Sequence, residues 1–334
     1  MIEIDGSEAG GQLVRTAVAL SALTGKPMEM KNIRGARPQP GLKTQHMEGI
    51  RTIAELCGAE VWGLVLGSKE LEFHPKELKP RDITIEISTA GSIGLVLQAL
   101  LLAMAKTKKT IKINFDGGGT WNKWAPPVEY MNRVFLPLID HRVEFNMLRE
   151  GFYPKGGAKV ETVVFPFEPK PLEILEKGLL AESFIISIAS KSLQKNRVAE
   201  RQVEAARELL SGTLKDAHIE IEYRDSVSPG SGILIYAITH NSIIGADAIG
   251  ERGKRAEEVG KEAAKNFLFE FTNGAVDRHA SDMLLPYMAL AGKGKIKTSQ
   301  ITHHSLTNIS VIEKFLPVKF SVEGERGKPG IIRL

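Results

Sequence analysis

Short runs of alternating apolar and polar residues recur along the chain, and each leads through a glycine-rich loop into an apolar segment of helical period. The runs are IEI (2–4), ITIEI (83–87) and IKINF (111–115), and their loops are DGSEAGG, STAGS and DGGGTWNKWAPP. This pattern predicts strand–loop–helix units and an internal repeat of roughly eighty residues. Such units are common in unrelated α/β proteins, so the pattern alone leaves the repeat open.

The composition changes after the proline-rich stretch VVFPFEPKPLEI, where lysine, glutamate and arginine become frequent. The segments 196–212 and 250–271 predict amphipathic helices with solvated charged faces, and HIEIEYRD and GILIYAITHN between them predict strands. The strand and helix pattern then resumes near the C-terminus. We therefore expect a smaller αβ domain at 176–275, inserted into a larger domain of 1–175 plus 276–334.

The overall composition is that of an ordinary globular protein, with 43% hydrophobic and 25% charged residues among 334. Aromatic residues are only 6%, which argues against a wide base-stacking surface, and a net charge of +4 suits a local phosphate site rather than a coat on nucleic acid. The single cysteine, Cys57, excludes a disulfide framework and a thiolate metal cage. The N-terminus lacks signal-peptide features, and the longest apolar stretch (94–105) is too short to span a bilayer. We expect a cytoplasmic protein without membrane association.

A loop rich in glycine and proline carries two arginines, Arg34 and Arg37, and leads into Gln45 and His46 at the start of an amphipathic helix. Two guanidinium groups in such a constrained loop can converge on one oxyanion, and arginine suits bidentate phosphate contacts. Ordinary solvated arginines in a surface loop are the alternative. We favour the anion site because a helix start follows the loop.

The first glycine-rich loop, DGSEAGGQLVR, resembles a phosphate-binding loop but contains neither GxGxxG nor a Walker A motif. Glu8 in this loop would repel a bare phosphate unless a divalent cation bridged the two. A carboxylate that faces a helix dipole is the simpler alternative. Arg15 lies seven residues after Glu8, where two helical turns would bring it to the same face.

Near the C-terminus, HHSLTN follows a predicted strand at 296–302. Strand alternation would place His303 and His304 on opposite faces, and Thr307 and Asn308 would then cap the following helix. A neutral imidazole is a competent nucleophile toward an activated phosphorus, whereas a structural histidine pair is the more common case. No HExxH motif or paired Cys/His spacing predicts a zinc site.

Four further positions carry signals that structure alone would also explain. Gln98 lies on the apolar helix after the second loop, and Pro127 stands at a predicted helix start. Asp282 opens a predicted helix, where a carboxylate is typical of a cap, and His279 lies three residues before it.

Taken together, seven segments resemble the RNA 3′-terminal phosphate cyclase family, in the family's order and over essentially the whole chain. They are DGSEAGGQLVR, IRGARPQPGLKTQH, STAGSIGLVLQ, GGGTWNKWAPP, GFYPKGG, RHASDMLLPYMALAG and HSLTNISVIEKFLPVKF. The resemblance implies a mixed α/β (α+β) fold. Its larger domain would contain three repeated units, each with two helices on a four-stranded sheet, and a smaller αβ domain would be inserted into it.

The resemblance also implies a ligase-type enzyme that uses ATP to convert an RNA 3′-terminal phosphate into a 2′,3′-cyclic phosphate. In the family, a histidine of an HxxT motif attacks the α-phosphorus of ATP, and the AMP then passes to the RNA 3′-phosphate before the ring closes. His304 in HSLTN matches that histidine. The implied cofactors are ATP and divalent Mg²⁺ or Mn²⁺, the implied partner is RNA with a 3′-phosphate end, and a homodimer is left open.

Other site residues are carried over by position. Glu8 matches the family's metal-binding carboxylate. The family's first loop often reads GEGGGQ, and because Ser7 and Ala9 replace two of its glycines here, we expect a tighter loop. The positions that match nucleotide-binding residues are Arg15, Gln98, Pro127, His279 and Asp282, and those that match the pocket for the phosphates and the RNA end are Arg34, Arg37, Gln45 and His46.

Two other interpretations make different predictions. A catalytically inactive, cyclase-like protein of ribosome assembly would keep the fold but lack the nucleophilic histidine. The presence of His304 and Glu8, together with the loop arginines, favours the enzyme. An enolpyruvyl-transferase-like enzyme on a similar repeated fold would have no use for a nucleophilic histidine in HSLTN.

Overall fold

The computed structural model describes residues 1–123 and 125–334; Trp124, in the predicted loop DGGGTWNKWAPP, lies outside the described residues. The fold is mixed α/β, and its described strands form four sheets of four strands each. The elements of the first sheet and its helices are β1 (Ile2–Asp5), α1 (Gly11–Thr24), β2 (Met28–Lys31), α2 (Thr44–Cys57), β3 (Glu60–Trp62) and β4 (Leu71–His74).

In the first sheet the strand order is β1-β2-β4-β3. Strands β1 and β2 are parallel because α1 returns the chain to the same end of the sheet, and the other neighbours are antiparallel. Helix α1 is almost wholly buried and packs against α2 and against helices from the two other sheets of the large domain. This central position brings its N-terminus close to segments distant in sequence.

The second sheet repeats this order as β5-β6-β8-β7, again with its first two strands parallel. The segments ITIEI and IKINF are therefore neighbours in one sheet rather than starts of separate units. The predicted loop STAGS is the continuation of strand β5, and Ser92 pairs with Gly119. The elements are β5 (Ile83–Ser92), α3 (Ile93–Ala103), β6 (Ile111–Gly119), α4 (Val128–Tyr130), a π-helical turn (Met131–Phe135), α5 (Leu136–Leu138), β7 (Val143–Arg149) and β8 (Lys159–Val164).

The third sheet begins with β9 (Leu172–Ile174), after which the chain builds the fourth sheet before it returns. The fourth sheet has the order β11-β10-β12-β13, and its helices α6 and α7 pack on one face. Its elements are β10 (Leu180–Ser190), a 3₁₀ turn (Lys191–Asn196), α6 (Val198–Leu210), β11 (His218–Arg224), β12 (Ser231–Thr239), β13 (Ile243–Ile249) and α7 (Ala256–Asn273).

The chain then completes the third sheet, whose order β9-β14-β16-β15 matches that of the first two. Strand β9 pairs in parallel with β14, so that Ile174 lies opposite Ile296. After the fourth sheet, Val276 pairs in parallel with Thr298, two residues further along the same strand. The elements are α8 (Arg278–Ala291), β14 (Gly294–Thr298), α9 (His303–Phe315), β15 (Ser321–Glu323) and β16 (Gly330–Arg333).

Both faces of the fourth sheet are buried. Ile185, Ile233 and Ile235 pack with α6 and α7 in a separate small core, whereas Leu234 and Tyr236 on the other face belong to the core of the large domain. No helix among the described residues is both long and apolar enough to cross a membrane.

Candidate active site

The N-terminal ends of three helices from distant parts of the sequence meet at one place. Helix α1 begins at Gly11, α2 at Thr44 and α9 at His303. The imidazole of His304 lies against Gly10, and the imidazole of His46 lies against Gly11. Free backbone N–H groups and the positive ends of the helix dipoles favour an anion at such a place.

The two adjacent histidines belong to the first turn of α9, so the predicted strand end was wrong. Strand β14 stops at Thr298, and Thr302 caps the helix. The Thr302 hydroxyl accepts a hydrogen bond from the Ser305 N–H (2.8 Å), and the Ser305 hydroxyl accepts one from the Thr302 N–H (3.3 Å). This capping box starts the helix before the predicted cap residues, Thr307 and Asn308, which lie inside α9.

His303 and His304 point to different partners in the first loop. The ring of His303 donates from Nε2 to the backbone carbonyl of Glu8 (2.5 Å), which ties α9 to that loop. In the half-buried ring of His304, Nδ1 is buried without a hydrogen-bond partner among the described residues, which leaves Nε2 as the accessible nitrogen. Burial, and then the charges of Arg15 and Arg37, lower the pKa of His304 to about 4. The ring is therefore uncharged at neutral pH.

His46 is buried and held in one orientation. Its Nδ1 accepts a hydrogen bond from the backbone N–H of Lys43 (3.1 Å). Burial, and then nearby Arg15, Arg34 and Lys43, lower the pKa of His46 to about 3. Because the neutral ring accepts at Nδ1, it carries its proton on Nε2, which lies at the start of α1. His46 thus presents a hydrogen-bond donor to any anion bound there.

The two loop arginines have different surroundings. Arg34 donates from Nη1 to the backbone carbonyls of Gln39 and Gly41, both at 2.9 Å, and so closes its own loop. Burial, and then the neighbouring Arg37, lower the pKa of Arg34. Arg37 is exposed, and its Nη2 reaches the same side of Gly10 as the His304 ring. Arg37 is therefore the loop arginine that lies beside His304.

Three further predicted residues connect the helices around this point. Gln45 at the start of α2 accepts at Oε1 from the backbone N–H of Ser92 (3.4 Å), the N-cap of α3. Arg15 of α1 and Gln98 of α3 line one small cavity, together with Asn308 of α9. These contacts link α2 to the start of α3, and the cavity joins α1, α3 and α9.

The position of Asp282 predicted that it opens a helix, but it lies inside α8. That helix starts at Arg278, and its cap is Asp277, which accepts from the N–H groups of His279 (3.0 Å) and Ala280 (2.8 Å). Asp282 lies one turn further on, fully buried, and its Oδ1 accepts from the hydroxyls of Thr302 and Ser305, both at 2.6 Å. Burial raises its pKa to about 7.

Sequence analysis missed this contribution of Asp282 to the start of α9. The T-x-x-S spacing of Thr302 and Ser305 was the available signal for a capping box. Their carboxylate partner, 20 and 23 positions earlier in the chain, is not predictable from spacing.

Pro127 and His279 lie at the starts of two helices that are joined by a buried hydrogen bond. Pro127 is buried and stands at the N-cap of α4, as predicted. The hydroxyl of Tyr130 in α4 donates to Oδ1 of Asp277 (2.6 Å), and the rings of Tyr130 and the exposed His279 lie edge to face with centroids 6.5 Å apart.

Glu8 carries the exposed carboxylate of the first loop, next to the carbonyl that His303 binds. Within residues 1–123 and 125–334, no group of three or more His, Cys, Asp or Glu side chains could hold a metal ion by itself. A cation at Glu8 would therefore need other ligands. Mg²⁺ commonly takes one or two carboxylates together with substrate phosphates and water, and a single exposed glutamate fits that arrangement.

Comparison with known proteins gives a consistent result over the whole chain. The sequence profile of the family RTC, RNA 3′-terminal phosphate cyclase, matches residues 6–322. The chain belongs to the RNA 3′-terminal phosphate cyclase family. An RNA 3′-terminal phosphate cyclase of Thermococcus onnurineus (strain NA1) is 48% identical over 100% of this chain and 99% of its own length. One of Thermococcus kodakarensis is 45% identical over 100% of this chain and 98% of its own length.

Among solved structures, an EPSP synthase from Acinetobacter baumannii matches 100% of this chain and 64% of its own, at 15% identity and a TM-score of 0.31. A likeness at that level carries no conclusion about fold or function. The family profile and the cyclase relatives agree with the resemblance that the seven sequence segments indicated, and the chain is a cyclase-family enzyme.

Proposed function

We propose that this protein converts an RNA 3′-terminal phosphate into a 2′,3′-cyclic phosphate in an ATP-dependent reaction, with His304 as the nucleophile. The observation that carries the proposal is the uncharged ring of His304. It lies where three helix N-termini meet, and burial, followed by the charges of Arg15 and Arg37, lowers its pKa. A nucleophile must be neutral to offer its lone pair, and an attacked phosphate must have its charge balanced. The neutral ring of His304 and the nearby arginines support the proposal on both points.

In the first step, the Nε2 lone pair of His304 attacks the α-phosphorus of ATP. A P–N bond forms, the bond between the α-phosphorus and the bridging oxygen breaks, and pyrophosphate leaves with that electron pair. Nδ1 keeps the ring proton, so the product is a histidyl-AMP whose leaving group is an imidazole. The step replaces a difficult dehydration with easier displacements.

In the second step, a 3′-phosphate oxygen of the RNA attacks the adenylyl phosphorus, and the P–N bond breaks to restore His304. The RNA then carries AMP on its 3′-phosphate through a pyrophosphate link. The vicinal 2′-OH attacks the 3′-phosphorus, loses its proton and expels AMP, which closes the cyclic phosphate. The products are AMP, pyrophosphate and the cyclic end.

We assign the remaining residues by the positions that match the family's site residues. Arg15 and Arg37 supply positive charge beside His304, and His46 supplies a hydrogen-bond donor at the start of α1. The nucleotide site comprises Arg15, Gln98, Pro127, His279 and Asp282, and the pocket for the phosphates and the RNA end comprises Arg34, Arg37, Gln45 and His46.

A divalent cation, Mg²⁺ or Mn²⁺, fits this proposal at Glu8. Bound there, it would neutralise phosphate charge next to the carboxylate of Glu8. The chain's contribution is to hold the first loop in place through the hydrogen bond from His303 to the Glu8 carbonyl. We place the reaction in the cytoplasm, with RNA as partner, and a homodimer remains part of the proposal.

The test is incubation of the intact protein with α-labelled ATP and Mg²⁺, followed by denaturation and detection of protein-bound label. The wild-type protein should retain label, and His304→Asn should retain none while its melting temperature stays within a few degrees. His303→Asn is the matched control, because it removes the neighbouring imidazole and should still take label, at a reduced rate. Label on His304→Asn would contradict the proposal, and an unlabelled, folded wild-type protein would favour the inactive, binding-only alternative.

A further inference from the structure

Two consecutive glycines, Gly10 and Gly11, stand at the start of α1, and backbone conformation does not explain them. Gly10 has φ −91° and ψ −170°, an extended conformation that any L-residue adopts. Gly11 is the first residue of a helix, where alanine is intrinsically more favourable than glycine. The glycines therefore require a reason that lies outside their own backbone.

The space around them supplies that reason. A Cβ atom on Gly10 would lie 2.8 Å from Cε1 of His304 and 3.1 Å from Nη2 of Arg37. A Cβ atom on Gly11 would lie 2.1 Å from Nε2 of His46 and 2.8 Å from its Cε1. Optimal carbon–carbon contacts are about 3.5–4.0 Å, so neither ring could keep its place beside an alanine.

Neither ring has an easy alternative position. The backbone of His304 is fixed in the first turn of α9 by the capping box, and this turn is bound to the buried Asp282. The ring of His46 is held at its far side by the hydrogen bond from the Lys43 N–H to Nδ1. Moving the ring away from α1 would break this bond and leave a buried acceptor unpaired.

We propose that Gly10 and Gly11 are positioning residues: each leaves room on α1 for one imidazole, Gly10 for His304 and Gly11 for His46. The inference rests on the proposed function, in which His304 is the nucleophile. It accounts for glycine at both positions, whereas Ser7 and Ala9 in the same loop carry a Cβ atom. It also predicts that the two glycines serve different steps, because their histidines do.

The experiment compares Gly10→Ala and Gly11→Ala with Gly49→Ala in the full-length protein. Gly49 is the matched control because it is a buried helical glycine of α2 whose added Cβ would meet nothing within 4 Å. For each variant the measurements are the melting temperature, the single-turnover rate of self-adenylylation, and the transfer of that AMP to a 3′-phosphorylated RNA.

Gly49→Ala should leave both rates unchanged. Gly10→Ala should slow self-adenylylation by about 100-fold, since a misplacement of about 1 Å can have that effect, with little change in melting temperature. When the pH is lowered, the residual rate of this variant should begin to fall at a higher pH than the wild-type rate does. The displaced ring is less buried, so its pKa rises toward that of an ordinary histidine and it is protonated sooner. Gly11→Ala should mainly slow the transfer to RNA.

A double-mutant cycle distinguishes positioning of the His46 ring from a general structural role of Gly11. If Gly11→Ala acts by pushing the ring of His46, then adding Gly11→Ala to His46→Ala should cause no further loss. Additive losses would overturn the proposal for Gly11, and a wild-type adenylylation rate in Gly10→Ala would overturn it for Gly10. Either result with an unlabelled His304→Asn variant leaves the proposed function intact, whereas label on His304→Asn would refute that function directly.

Discussion

At the scale of single residues, the site is an arrangement of neutral imidazoles among permanent cations. His304 and His46 both have lowered pKa values, first because they are buried and then because arginines lie near them. Burial and the same positive charges that would attract a nucleotide therefore keep His304, the proposed nucleophile, unprotonated at neutral pH. The family resemblance, carried over by position, named His304 and His46 as site residues, and their role stays a prediction. The lowered pKa values depend mainly on burial, which a sequence does not display.

The pH dependence of self-adenylylation tests this electrostatic relation. With the pKa of His304 at about 4, the ring is protonated only below that pH, so the rate should be independent of His304 titration from pH 5 to pH 8. Arg37→Gln removes one of the charges that lower this pKa. The acidic limb of the rate profile should therefore move to higher pH, though not to that of free histidine, since burial remains.

Arg34→Gln is the matched control for this measurement. Arg34 bonds to loop carbonyls and is not among the charges that act on His304. Both variants are measured with the same ATP and buffer. Titration of the nucleotide therefore affects both rate profiles equally and does not contribute to the difference between them. An equal shift of the acidic limb in both variants would show that Arg37 does not tune His304.

At the scale of elements, the start of α9 shows where sequence analysis succeeds and where it stops. The apolar period predicted the helix, but strand alternation was extended too far and His303 and His304 were placed on a strand. The boundary is set by Thr302, Ser305 and Asp282, and the last of these comes from another helix. The local sequence shows Thr302 and Ser305 of this cap, but it does not show that Asp282 binds both hydroxyls.

Asp282 gives this element a pH-dependent stability. The folded protein holds a proton on Asp282 up to about pH 7, whereas an ordinary aspartate loses it near 3.8. The folded state therefore binds more protons between these values, and the free energy of unfolding should fall as the pH rises from about 4 to 7. Asp277 and Asp247, with similarly raised pKa values, should contribute in the same direction.

Asp282→Asn should keep both hydrogen bonds through Oδ1 but cannot titrate. Thermal melts at pH 5 and pH 8 should show a smaller difference in melting temperature for this variant than for the wild type. Asp282→Ala leaves the hydroxyls of Thr302 and Ser305 without their acceptor and should lose about 1–3 kcal/mol at either pH. A pH dependence unchanged in Asp282→Asn would show that this carboxyl is ionised in the folded protein.

At the scale of the whole molecule, the change in composition predicts an inserted domain at 176–275, and the sheet pairing shows where the third sheet is interrupted. Ile174 pairs with Ile296, Ala275 donates to the Lys297 carbonyl, and Val276 pairs with Thr298. The chain thus leaves a strand after Ile174 and resumes the same line at Ala275. Sequence cannot show this, because both sides of the interruption are too short to read as strands.

We expect that the large domain folds without the insertion if residues 175–274 are removed and Ile174 is joined to Ala275. This junction keeps the register with β14. The product should be folded and monodisperse but less stable, because the bared surface includes Trp121 and Val134, on which Gly232 and Gly245 of the insertion pack closely. Circular dichroism and thermal melts provide the measurement.

The control joins Ile174 directly to Val276 and so shifts the register by one residue, which turns the side chains to the opposite faces. It should be markedly less stable than the in-register product. Equal behaviour of the two, or complete unfolding of both, would show that the insertion is part of the large domain's folding unit.

The contact between α1 and α9 has a consequence for how the protein comes into being. His303 binds the carbonyl of Glu8 across 295 positions of chain, and Lys26 after α1 donates to the carbonyl of Phe315 at the end of α9. A ribosome makes the first loop, which His303 binds, almost at once, but it makes His303 and His304 only when synthesis is nearly over. If His304 is the nucleophile, as we propose, a growing chain cannot react with ATP before α9 is made, and a protein truncated anywhere before α9 should take up no AMP.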